Sequence, residues 1–558
     1  MILGRSTIGQ GDGLAAAPTV PLDPAIAGLL QTFCSDCHGP DDPSGGANLA
    51  GAATRDDIYH QGRTWNKAIR VIRDQSMPPK TADQPSEEQR RVLADWLESA
   101  LRDVDCQSGR DPGRVTLRRL NRVEYANTIR DLFEIEIDAA RDLGADPAGN
   151  GFDNQGDTLF IPPVLMEKYV DATKRIVEVV FTQEASRRLL LGDAPLVEGN
   201  SAVDSARERW TRFIRRAFRR PVEMEEVERR LALVRSALER GETLESGMKS
   251  ALESVLLSPN FLFRLEKNQA PAESTDPYPI TDHELAVRLS YFLWASMPDQ
   301  ELFDFADRGT LHDPDVLAVQ VERMLRDPKG TSLARDFASQ WFGFRDMRTY
   351  EMDLRRYGNF NGVREHMYAE SMAFFDHLFR ENASILDVLD CNYAFVNRPL
   401  AAHYGLPPVE GDALQKVTLL DRRRGGILGM GSTLVVTSYP TRTSPVMRGK
   451  WVLEQILGTP PPPPPPNIKP ISRDDSIKDG MTLRQRLEKH REVESCASCH
   501  AKMDPIGFAL ENYDGVGQWR DQDNGLALDN AGTLPDGTAM LGPEGMKDAL
   551  LARKDLFV

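Results

Sequence analysis

Apolar residues recur at every third or fourth position over most of the chain. PAIAGLLQTF (24–33) and GRTWNKAIRVIRD (62–74) each present one apolar face at helical spacing. SEEQRRVLADWLESALRD (86–103) adds a third, with Ser86 and Gln89 at capping-box positions and a stripe of Val92, Leu93, Trp96, Leu97 and Leu101. The same period continues after Arg114 through RRLNRVEYANTIRDLF, PPVLMEKYVDATKRIVEVVF and a basic-to-acidic helix pair between Arg207 and Arg240. ITDHELAVRLSYFLWASMPDQELFDFADRG and the run from Val363 to Phe379 extend it further. Period-two alternation is scarce, so the pattern predicts a mainly α chain.

Length, charge and cysteine count narrow this picture. A chain of 558 residues exceeds what one core organises and predicts about three or four domains. No run approaches the roughly 18 apolar residues that span a bilayer. A net charge of −16 opposes nucleic acid or anionic lipid as partner, and the local patch RFIRRAFRRP (212–221) reads as a solvated helix face. Six cysteines are too few for a disulfide scaffold, and four of them form two identical motifs.

CSDCH supplies Cys34, Cys37 and His38; CASCH supplies Cys496, Cys499 and His500. In a Cys-x-x-Cys-His motif the thiols form thioethers to haem and the adjoining His binds the iron. With 6 Cys and 9 His in the chain, one such motif arises by chance about 0.001 times. A zinc site would need both half-sets together, and a thioredoxin-like pair has no use for the following His. Two covalent c-type haems are therefore expected. For the first, Met77 in QSMPPK follows His38 by 39 residues on a segment stiffened by two prolines, which suits an axial thioether. For the second, Met503 is only three residues from His500 and has no chain length to round the ring, so it is expected to pack at the haem edge. Met540 and Met546 follow His500 by 40 and 46 residues; Met540, in a loop, is the preferred ligand.

RRLNRVEYANTIRDLF with GFDNQGD, RRAFRRPV, RLSYFLWASMPDQEL, TRTSPVMRGKWVLEQILGTPPPPPPP and CASCHAKMDPIGFALENYD, in that order, resemble the multidomain cytochrome c proteins abundant in planctomycetes and some other Gram-negative bacteria. The resemblance implies an N-terminal class-I-like cytochrome c domain (23–104), helical domains at 114–182, 203–267 and 278–406, a domain at 418–520 holding the second motif, and the start of another at 521–558. It implies a periplasmic or cell-surface location too. MILGRSTIGQGDGLAAAPTV has no continuous apolar export segment, so a missing or misassigned N-terminus and a cut C-terminus are expected.

Other features admit two readings. Asp153, Asn154 and Asp157 are oxygen ligands of the kind calcium takes, but they lack EF-hand spacing and a turn needs the same residues. Cys106 and Cys391 pair in an oxidising compartment or stay separate thiols. Pro460–Pro466 forms a polyproline strut of roughly 22 Å. The expected function is electron transfer between redox partner proteins. The alternatives are a peroxidase- or oxidase-like oxidoreductase at the second haem, with His403, Arg442 and Arg448 as distal groups, and a surface polymer- or partner-binding protein with accessory haems.

Overall fold

The computed structural model describes residues 21–41, 43–73, 77–79, 81–102, 117–191, 200–266, 278–461, 482–491, 494–523 and 525–557. The chain is mainly α-helical, as its periodicity predicts, with four two-stranded antiparallel ladders among these residues. It divides into two compact units, 1–115 with 269–278 and 116–268 with 279–558. Cys106 and residues 462–466 of the proline run lie outside the described residues. Of the C-terminal motif, the backbone is described and the side chains of Cys496 and Cys499 are not.

In the first unit, helices Pro24–Phe33, Arg55–His60, Gly62–Arg73 and Glu87–Arg102 enclose one core. Asp23 caps the first, its carboxylate accepting from Ala25 N at 2.8 Å, and Pro24 occupies the turn where a missing N–H is harmless. Ile26 and Leu30, one turn apart, face inward onto Trp65 and Leu97. The Ser86–Gln89 capping box forms reciprocally at 2.8 and 3.2 Å. The expected stripe on the last helix needs one correction: Val92 is 42% exposed. Leu93, Leu97 and Ala100 define the buried line, and a residue one step before Leu93 is turned about 100° away from it.

The second unit begins with Arg118–Arg119 paired antiparallel to Phe263–Arg264, which joins the two ends of a helical segment. Its helices pack Tyr125, Phe133, Trp210 and Phe261 into a common core. RFIRRAFRRP is solvated only in part: Arg212 is exposed, and the arginines after it are engaged by the protein. Arg219, at a left-handed φ of 58°, is buried and donates to the carbonyls of Asn260, Phe261 and Phe263. Arg215 pairs with Asp307 and Arg220 with Glu226. The patch is neutralised internally because the chain ending this helix must turn beside carbonyls that need donors.

A second core gathers Phe342, Phe344, Phe375 and Trp451 from the middle of the unit with Met503 and Ile506 from the helix Glu494–Phe508 and Ala509 and Leu510 from the turn after it. The hairpin Ala531–Thr533/Ala539–Leu541 and the helix Gly542–Leu551 complete it.

Candidate haem sites

The first motif sits where its helix ends. Cys34 is the C-cap, its N–H bonded to Leu30 O at 2.9 Å, and a succession of turns carries His38 N to Cys34 O at 3.0 Å. His38 Nδ1 donates to Ala47 O at 3.0 Å, which fixes the tautomer and leaves the lone pair on Nε2. Cys34 and Cys37 are free thiols, the first half-buried and the second exposed. Burial pushes the Cys34 thiol up to about 11, the opposite of what an activated redox dithiol needs.

Met77 is held by its backbone and free at its side chain. Its N–H bonds Val71 O at 3.0 Å and its carbonyl accepts from Arg90 Nη1 at 2.6 Å. Arg90, buried, also holds Gln84, whose amide nitrogen donates to Pro79 O and Ala82 O at 2.8 and 2.9 Å. The thioether is 38% exposed, so Met77 is not a core residue. Two thiols, an oriented imidazole and a thioether left outside the core are a donor set that fits a covalent haem. Sequence reasoning named these four residues and missed Arg90, whose contacts join positions 13 and 18 residues apart.

The second motif lies within a continuous helix, Glu494–Phe508, where spacings of three and four place Cys496, Cys499 and His500 along one face. His500 Nδ1 donates to Asp504, 3.0 and 3.2 Å from its two oxygens. Asp504 is 0% exposed. The helix crosses Pro445–Trp451 at backbone contact: a Cβ on Gly449 would stand 1.8 Å from Met503 O, and one on Gly507 would stand 1.8 Å from Pro445 O. Here the absence of a side chain is what permits the approach.

The segment after the motif is held by buried basic side chains. Arg448 donates to the carbonyls of Leu510, Tyr513 and Asp514 at 2.7–2.8 Å and to Glu511 at 3.2 Å. Glu511 also accepts from Thr443 and Arg520. His403 Nε2 donates to Val516 O at 2.8 Å, and Arg424 reaches Gly517 O while lying 3.9 Å over the Tyr404 ring. Arg442 donates to Thr443 O and covers the Tyr439 ring. Of the groups expected to be distal, His403 and Arg448 are therefore staples of this segment, and Arg442 is engaged within its own loop. Close by, Tyr404 donates to Glu370 at 2.6 Å, and burial pushes the Glu370 carboxyl up to about 7.

Met540 lies on the terminal hairpin and is 4% exposed, in the same core as Met503 and Ile506; Met546 is buried there as well. Cys391 is a free thiol. Asp153 accepts from Asn121 at 3.0 Å and pairs with Arg345, so its oxygens are committed to protein donors; Asn154 and Asp157 are exposed.

Residues 23–97 match the family described as cytochrome C oxidase, cbb3-type, subunit III. Four families described as proteins of unknown function match in order: DUF1587 at 118–182, DUF1595 at 205–266, DUF1592 at 280–406 and DUF1588 at 424–523. No curated protein and no solved structure matches. An N-terminal cytochrome c domain, which carries a haem-binding, electron-transfer role, followed by this series of domains places the chain among the planctomycete-type multidomain cytochrome c proteins.

Proposed function

We propose that the protein is an extracytoplasmic dihaem c-type cytochrome that moves electrons between partner proteins. The observation that carries the second haem is the pairing of a repeated Cys-x-x-Cys-His motif with an oriented imidazole at each copy: His38 Nδ1 on Ala47 O and His500 Nδ1 on Asp504. Each motif would tether one haem through its two cysteines and bind iron through Nε2, and each haem would supply a one-electron couple. Met77, on a segment pinned by Arg90 and Gln84, would close the first iron and favour outer-sphere transfer. Met540 serves packing in this reading, since its side chain is part of the core beneath the motif helix. Covalent haem attachment through paired cysteines supports a location outside the cytoplasm, and no helix among the described residues is long and apolar enough to cross a membrane.

The test is a haem count by pyridine haemochrome on the full chain, produced with an export signal and haem-maturation machinery. Two haems per chain are expected, falling to one in Cys496→Ser/Cys499→Ser. A count of one that the double substitution leaves unchanged overturns the dihaem reading. Two low-spin haems inert to peroxide are expected of a relay, and a high-spin, peroxide-responsive spectrum would replace it with redox catalysis at the second haem.

A further inference from the structure

The two histidines that would bind iron differ in what holds their far nitrogen. His38 Nδ1 meets a backbone carbonyl, whereas His500 Nδ1 meets both oxygens of a carboxylate with no solvent exposure. Among the described residues His500 is the hydrogen-bond partner of Asp504. A buried carboxylate is a costly arrangement, because desolvating its charge takes several kcal/mol that one hydrogen-bond donor does not return. Positive charge beyond the imidazole would offset it. A ferric iron held by Nε2 would supply such a charge.

From this contrast, and resting on the dihaem reading above, we propose that Asp504 is a positioning residue that sets His500 as a strongly basic ligand and lowers the reduction potential of the second haem below that of the first. The physical cause is twofold. The carboxylate pulls the Nδ1 proton toward itself, which enriches Nε2, and its unscreened negative charge stabilises the more positive ferric state. At the first haem a neutral carbonyl and a thioether both leave the potential high. The expected order of potentials would make the C-terminal site the better one-electron donor and the N-terminal site the better one-electron acceptor, with no proton transferred.

Potentiometry on single-haem forms of the full chain tests this. Cys34→Ser/Cys37→Ser isolates the second haem and Cys496→Ser/Cys499→Ser isolates the first. The second is expected to titrate lower, and Asp504→Asn in the first background is expected to raise it by about tenfold in the one-electron equilibrium, about 59 mV. Asp504→Glu should return most of that shift. A second haem equal to or above the first overturns the inference without any change at 504, so a variant that fails to fold does not shelter it. An Asp504→Asn potential equal to its parent overturns it as well. Absence of haem from Cys34→Ser/Cys37→Ser chains removes the dihaem reading itself, a separate result.

Discussion

The two Cys-x-x-Cys-His segments share a covalent template and are built into their surroundings by different means. Around the first, the helix stops at Cys34, the chain turns through His38, and the neighbouring core is apolar, with Arg90 as its buried charge among the described residues. Around the second, the helix runs on through Asp504 to Phe508, lies against a second backbone through Gly449 and Gly507, and is followed by a segment held by Arg448, Arg424 and His403. The N-terminal site is made by local turns on a small core. The C-terminal site depends on buried charge contributed from up to a hundred residues away, so its geometry should be cooperative with the fold of the whole second unit.

That difference is tested most severely at Arg448, whose side chain is 0% exposed. Replacing it by Met keeps bulk but strands three carbonyls and weakens the compensation of Glu511, so a loss of about 3–5 kcal/mol is expected. Urea unfolding followed by tryptophan emission reads the effect, with the spectrum of the first haem as an internal control that should not change. A loss under about 1 kcal/mol would mean that the buried charges are incidental.

Glu370 examines the same reliance through pH. Its carboxyl is pushed up to about 7 from an ordinary 4.5 by burial, against the pull of the Tyr404 hydroxyl. The folded state thus holds the proton more tightly than the unfolded chain. This contribution is present in full below about pH 4.5 and is lost as pH rises toward 7, on the order of 3 kcal/mol across the window. Glu370→Gln should flatten that slope, and an unchanged slope would show that another group governs it.

Packing at the two motif helices should respond with opposite signs. Gly507→Ala forces a Cβ toward Pro445 O and is expected to destabilise by about 1–3 kcal/mol, with less haem retained at the second motif. Gly28→Ala, in the helix leading to Cys34, meets nothing within 4 Å and should stabilise by about 0.5–1 kcal/mol. Equal effects from both would erase the distinction between the helices.

How much of this was legible in the sequence varies with range. The motifs, the Ser86–Gln89 box and the helical class rest on spacings of one to four residues, and those are written in the chain itself. Asp504 was also within reach, because it stands one helical turn after His500. Arg448 and Arg219 were not legible. A basic residue in sequence is the same whether it faces solvent or carbonyls, and the acceptors lie 62 and 42 positions away. His403, Arg442 and Arg448 attracted a catalytic reading because their chemistry allows one; burial and the backbone carbonyls they donate to assign them to structure.

The expected effect on stability at Arg90 is small, and the effect on function is the sharpest. Its guanidinium spans Met77 O, Ile72 O and the Gln84 side chain, so a planar fork is needed where a point charge would reach one acceptor at a time. Arg90→Lys keeps the charge and should cost only about 1 kcal/mol in urea unfolding. The Pro78–Pro79 segment would then lose its fixed relation to the helix Glu87–Arg102, and Met77 would hold iron for a smaller fraction of the time. A lower potential for the first haem and a growing high-spin fraction, with the second haem unchanged, are the expected readings. If Arg90→Lys left the first potential intact, the prolines alone would suffice to place Met77, and even the buried charge found among the first unit's described residues would be dispensable to its site, widening its contrast with the second.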